Sequence, residues 1–253
     1  MPQNAIAKQP ARQKRLQTSA PLKPQGPRHS LRTTTLAILR LARHVWFTNA
    51  LLIGSLAVTL WTAFGKNYER LAPLLITTHL NLGLTQVSIG EWWRLFTPSL
   101  LHFSVLHAVC NFYVVYLLGG IIEMRRGRRA LMVLLLCSAL YSNLAQLLIT
   151  DVYVFGGLSG VAFALFGYLW AVGHRHPDAA MRLPPRLVVL ALWSFFACYP
   201  ISWAGYPIAN TVHAAGLVTG ILFGILDREP AANYYHKYQA EIKAGGEPPT
   251  LSV

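Results

Sequence analysis

Four stretches of this chain, residues 45–65, 103–122, 130–149 and 187–204, contain no Lys, Arg, Asp or Glu. Each approaches the roughly 20 residues that an α-helix needs to cross a hydrocarbon core. Two further apolar runs, 159–173 and 212–226, are shorter and rich in glycine. The chain is 54% hydrophobic and 12% charged, against about 25% charged in an average soluble domain. So few charges cannot coat a water-facing surface of this size. The expected fold is an all-α integral membrane protein, a bundle of six transmembrane helices.

The net charge of +13 raises the question of nucleic acid, and the placement of the charges answers it. Nine Lys or Arg and no acid fall within residues 1–44, directly before the first run. The next clusters are Arg125, Arg126, Arg128 and Arg129, then Arg175, Arg182 and Arg186, then Arg228, Lys237 and Lys243. Basic residues near span ends mark the cytoplasmic side. With a cytoplasmic N-terminus and six crossings, 19 basic residues lie inside, and only Lys66, Arg70 and Arg94 lie outside. Both termini are thus expected in the cytoplasm, and the charge serves topology and anionic lipid headgroups rather than nucleic acid.

This divides the chain into a basic tail (1–44), expected to be disordered and too polar to be a cleaved signal peptide, a membrane domain (45–227) and a short cytoplasmic tail (228–253). The one long outer connection, 66–102, holds Trp92, Trp93, Phe96, Glu91 and Arg94, a mixture suited to the headgroup level. A connection of this length is expected to be functional or packed on itself. Cys110, Cys137 and Cys198 fall within spans without metal spacing and read as small apolar core residues. No metal or other cofactor is expected.

Polar residues inside spans are costly and tend to line a bundle interior or a cavity. Here they include His107 and Asn111 in the second span, Ser142, Asn143 and Gln146 in the third, Ser159 at the start of the fourth and His213 at the start of the sixth. Counting from the inner span ends, Ser159 and His213 are each 14 residues up, His107 is 16 and Asn111 is 12. At 1.5 Å per residue all four sit about 18–24 Å above the inner boundary of a core about 30 Å thick. The fourth and sixth spans are therefore too short to cross as helices. Irregular backbone must finish the crossing, and it is tolerated at depth only where protein buries it or a water-filled cavity serves it.

The segment Gly156-Gly157-Leu158-Ser159-Gly160 puts a serine in or just before the first turn of a helix, where backbone N–H groups lack intrahelical acceptors. His213 can take the serine proton. His107 and Asn111, spaced i,i+4 on one helix face, can donate to a developing oxyanion. The acids Asp151, Asp178 and Asp227 lie in loops or at a span end, which leaves a dyad. Phe163, one turn after Ser159, supplies a wall for the His213 ring. Gly216, Gly220 and Gly224 form a small-residue stripe expected to face Gly160 and Gly167 and to let the two helices approach closely.

Taken singly, an intramembrane serine usually bonds its own backbone, and GxxxG usually packs helices. The coincidence of four such groups at one depth, with glycine at the contact, puts catalysis on an equal footing with helix packing. A transporter would want an ionisable Asp, Glu, Lys or Arg within a span as a coupling site, and none is seen. Other intramembrane protease chemistries lack their residues, having neither an H-E-x-x-H motif nor two intramembrane aspartates.

At these residues the sequence resembles the rhomboid family, in its six-helix bacterial form. EWWRLFTPSLLHFSVLHAVCNFYVVYLLGGIIE (91–123) carries the Trp93-Arg94 pair of the outer loop and the His-rich entry to the second span. GGLSGVAFALFGYLW (156–170) resembles the nucleophile segment, and HAAGLVTGILFG (213–224) resembles the histidine-plus-glycine signature of the last span. The resemblance implies Ser159 as nucleophile, His213 as general base and His107 with Asn111 as oxyanion donors. It implies His102 as a support of the outer loop, and Glu123 with Arg125 as a structural pair. It further implies cleavage of transmembrane protein substrates near the outer face of a bacterial inner membrane. The competing reading within the family is a non-catalytic protein that binds membrane clients. Two departures are Phe163, where relatives usually carry tyrosine, and Val212, where a small residue is usual and where crowding against the fourth span is expected.

Overall fold

A computed structural model describes residues 45–150, 152–175, 181–206 and 208–228. The basic tail 1–44 and nearly all of 228–253 therefore lie outside the described residues, as do Asp151 and Asp178. Among the described residues the secondary structure is entirely helical. Its long elements are α1 (Trp46–Trp61), α2 (Val105–Ile149), α3 (Ser159–Arg175), α4 (Pro185–Trp203) and α5 (Asn210–Leu226). Two of these, α2 and α4, are long and apolar enough to cross a membrane by length and composition. The outer surface is itself apolar: Leu106, Leu148, Trp193 and Trp203 are all exposed.

The second and third predicted spans form one 45-residue helical run, broken where Gly127 takes φ 80° and ψ 163°. A side chain rarely adopts that φ, so the reversal of direction falls on the one glycine in Arg125-Arg126-Gly127-Arg128-Arg129. The basic cluster is therefore not a loop. It continues the helix on both sides of the break, and Arg126 turns inward: its Nε lies 3.1 Å from Asp227 Oδ2 and donates to Tyr168 Oη at 3.2 Å.

This corrects the pairing that the resemblance implied. The ion pair at the inner end joins Arg126 to Asp227 and leaves Arg125 out. Glu123 instead accepts hydrogen bonds from Phe47 N–H at 2.9 Å, Thr48 N–H at 2.8 Å and Thr48 Oγ1 at 2.7 Å. A carboxylate at the N-terminus of α1 satisfies donors that no intrahelical acceptor can reach and complements the helix dipole.

Helix α3 is the axis of the bundle. Eleven of its 17 residues are buried, and Leu165, Leu169 and Val172 meet Leu118, Ile122, Leu131 and Leu134 of the two α2 arms in the main apolar cluster. Helix α4 is the opposite case, with no buried residue. The cysteines depart from expectation: Cys110 is exposed and Cys137 and Cys198 are only partly covered.

The connection before α2 is a chain of short helical turns whose backbone is held by side chains. The carbonyls of four consecutive residues are each taken. Arg94 Nη1 donates to Ala72 O at 2.7 Å and Leu75 O at 2.8 Å, Trp93 Nε1 to Pro73 O at 3.1 Å, and Thr97 Oγ1 to Leu74 O at 2.8 Å. Arg94 also pairs with Glu91 at 2.5 Å and is buried. The sequence reading put Arg94 at the headgroups; it is instead an internal hub, because irregular backbone away from water needs donors that only side chains can supply.

Candidate active site

Residues 152–158 precede α3 without helical structure, and Ser159 is the first residue of the helix. The entry is set by contacts that only glycine allows. Gly156 packs so closely that a Cβ would sit 2.6 Å from Pro98 O, and Gly157 at φ +122° leaves 2.7 Å between its Cβ position and the His107 ring. The Gly157 N–H donates to Pro98 O at 3.0 Å. His102, fully buried, accepts the Leu158 N–H at Nε2, 3.4 Å away. Its Nδ1 therefore carries the proton and donates to Thr59 Oγ1 at 3.2 Å. Burial, reinforced by His107, lowers the His102 pKa to about 4, so the ring stays neutral and keeps this accepting role.

The Ser159 hydroxyl donates to His213 Nε2 across 2.9 Å. His213 is buried on the first turn of α5, and its ring lies against Phe163 with centroids 4.9 Å apart. Its Nδ1 is buried without a hydrogen-bond partner among the described residues, so packing rather than a carboxylate orients the imidazole. Asn111 is buried, and its Nδ2 has no partner either. That amide lies 3.3 Å from the Cβ position of Gly157. His107 and Asn111 thus converge on the peptide two residues before Ser159, beside the unpaired N–H groups of the first α3 turn.

Helices α3 and α5 meet backbone to backbone. A Cβ on Gly216 would run into the Gly160 carbonyl, and one on Gly220 would lie 2.7 Å from Ala164 Cα. The stripe therefore faces Gly160 and Ala164, whereas Gly167 meets the Leu217 carbonyl. Gly160 also explains Val212: a Cβ there would come within 2.6 Å of Val212 Cγ1, so the missing side chain leaves the space that valine fills. The expected crowding does not arise.

Sequence reasoning missed the polar face of α1. Thr48, Ser55, Thr59 and Thr62 are all fully buried, and Ser55 and Thr59 hold the Leu100 to His102 segment. Their spacing of 7, 4 and 3 residues along one helix was the available signal. Ser142 Oγ and Gln146 Oε1 are buried without partners among the described residues. Asn143 Nδ2 donates to Leu95 O and so ties α2 to the outer connection.

A helical, apolar-surfaced bundle in which half-buried Ser159 contacts buried His213 beside the unpartnered Asn111 amide is the class of protein that fold and site define. Comparison with known proteins identifies that class further. Residues 89–230 match the Rhomboid domain family model, and the chain belongs to the rhomboid family. Similar proteins include rhomboid protease GlpG of Pectobacterium atrosepticum, 44% identical over 137 residues that make up 54% of this chain and 49% of that one. The GlpG of Photorhabdus laumondii is 34% identical over 71% of this chain and 61% of its own length, and that of Serratia proteamaculans is 42% identical over 56% and 51%. The chain thus spans roughly half the length of the curated relatives it matches.

Proposed function

We propose that this protein is an intramembrane serine protease that hydrolyses peptide bonds in or beside the transmembrane segments of membrane-protein substrates. The observation that carries the reading is the 2.9 Å contact of Ser159 Oγ with His213 Nε2, next to an Asn111 amide with no partner. Ser159 Oγ attacks the substrate carbonyl carbon as its proton passes to His213 Nε2. Negative charge then develops on the carbonyl oxygen, where Asn111 Nδ2, a His107 ring N–H and a backbone N–H of the first α3 turn donate hydrogen bonds. His213 returns the proton to the leaving amine. Water, deprotonated by the same imidazole, then hydrolyses the acyl-enzyme. Preorganised donors of this kind need no reorganisation as charge appears.

The remaining assignments belong to the same proposal. Residues 45–227 form the membrane domain, and six segments cross the bilayer: α1, the two arms of α2 on either side of Gly127, α3, α4 and α5. Both termini are cytoplasmic in a bacterial inner membrane, which the 19-to-3 distribution of basic residues supports. His102, Trp93 and Arg94 are supporting residues that hold the backbone around the site, while Gly157, Gly160, Gly216 and Gly220 permit the approach of its elements. The test is cleavage of a generic transmembrane substrate by detergent-purified protein, with Ser159→Ala as control. Equal cleavage by wild type and Ser159→Ala would overturn the reading.

A further inference from the structure

Helix α4 turns a continuous stripe outward. Pro185, Arg186, Val189, Leu190 and Trp193 line a shallow, open groove of about 400 Å³ on its inner half, at spacings that stack along one helix face. Arg186 stands exposed at its inner end. Just before the helix, Met181 and Leu183 are buried while Arg182 is exposed, and the Arg182 backbone rests where a Gly173 Cβ would come within 3.1 Å. This packing holds the Arg182 backbone, so that a second exposed arginine lies four residues before Arg186 at the inner end of α4. Residues 181–206 contain no Asp or Glu, and the acids described at this end, Glu123 and Asp227, are already engaged.

We infer that this groove binds an anionic phospholipid, its phosphate at Arg186 and Arg182 and one acyl chain along Val189, Leu190 and Trp193. The inference rests on the membrane placement of α4 proposed above. A cationic end continuous with an exposed apolar strip matches a lipid in both charge and polarity. A free inorganic anion would leave the apolar strip unused. A second helix packing closely would call for small residues rather than a tryptophan and three branched or ring side chains.

The test uses tryptophan quenching by brominated lipids in phosphatidylcholine vesicles. The Trp193 signal is isolated by subtracting the Trp193→Phe variant, and Trp203, at the outer end of α4 and 82% exposed, serves as reference through Trp203→Phe. Dibromo-phosphatidylglycerol should bind at Trp193 roughly 30-fold more strongly than dibromo-phosphatidylcholine, the preference expected of two basic residues at an anionic interface. Trp203 should not discriminate. The double variant Arg182→Gln/Arg186→Gln should bring the Trp193 ratio to one. Equal quenching of Trp193 by the two lipids in the wild type overturns the inference while leaving the membrane reading intact. Weak quenching of Trp193 alone means that protein, such as a second copy, covers the groove, and overturns it too. If neither tryptophan is quenched, the membrane placement of α4 fails along with the site.

Discussion

Replacing Gly220 by alanine adds one methyl group at the closest approach of α3 and α5. Built on the present backbone, the new Cβ lies 2.7 Å from Ala164 Cα and closer still to the Ala164 carbonyl, whereas carbon atoms rest at about 3.5–4 Å. Backbone atoms cannot rotate aside, so the helices must separate by about 1 Å. Overpacking of this kind costs about 1–3 kcal/mol, which for a domain of this size lowers Tm by roughly 2–4 °C per kcal/mol. The same displacement stretches the 2.9 Å contact between Ser159 and His213 beyond hydrogen-bonding range. Misplacement by 1 Å costs about 10²-fold in rate. The assay pairs initial rates on a fluorogenic transmembrane substrate with thermal unfolding in detergent. Gly54→Ala is the control, because nothing lies within 4 Å of its Cβ position, and it should change neither quantity. If Gly220→Ala cleaves at the wild-type rate with an unchanged Tm, backbone contact between α3 and α5 is not what sets the dyad.

Within the site, Ser159→Ala and His213→Ala should each abolish detectable cleavage and labelling by a fluorophosphonate probe, whereas Asn111→Ala should retain slow labelling and lose about 10²–10³ in rate; a probe adduct on another serine would refute the assignment. For topology, in a cysteine-free background an impermeant thiol reagent should label Ser88→Cys and spare Arg129→Cys in intact cells, and the reverse pattern would invert the orientation. His102 bears on acid stability: its pKa of about 4 lies below the ordinary 6.5, so the unfolded chain binds the proton first. The stability it contributes is complete above pH 6.5, falls as pH drops towards 4, and is constant below that, with a slope of at most about 1.4 kcal/mol per pH unit. Tm should therefore fall less steeply between pH 6.5 and 4 in His102→Gln than in the wild type, and identical slopes would remove His102 from the account.

The apolar helical class and the pairing of Ser159 with His213 were legible in the chain itself. Apolar run length is a one-dimensional property set by bilayer thickness, and depth along a helix follows from counting residues, so Ser159, His213, His107 and Asn111 could be placed on one level before any fold was known. The ring of Phe163 beside His213 follows from i,i+4 spacing for the same reason. Facing is different, because it depends on which neighbour a helix meets. Only the packed bundle decided that Arg126 rather than Arg125 turns inward to Asp227, that Glu123 caps α1 across 75 residues of sequence, that Gly220 meets Ala164, and that Cys110 looks outward. Arg94 shows the limit most plainly. An arginine beside two tryptophans has the composition of a headgroup anchor, and nothing local reveals that its guanidinium donates to the carbonyls of Ala72 and Leu75, some 20 residues away. Local spacing fixes height and helix face; the need of buried backbone for hydrogen-bond partners is met through space, and only the tertiary structure says by whom.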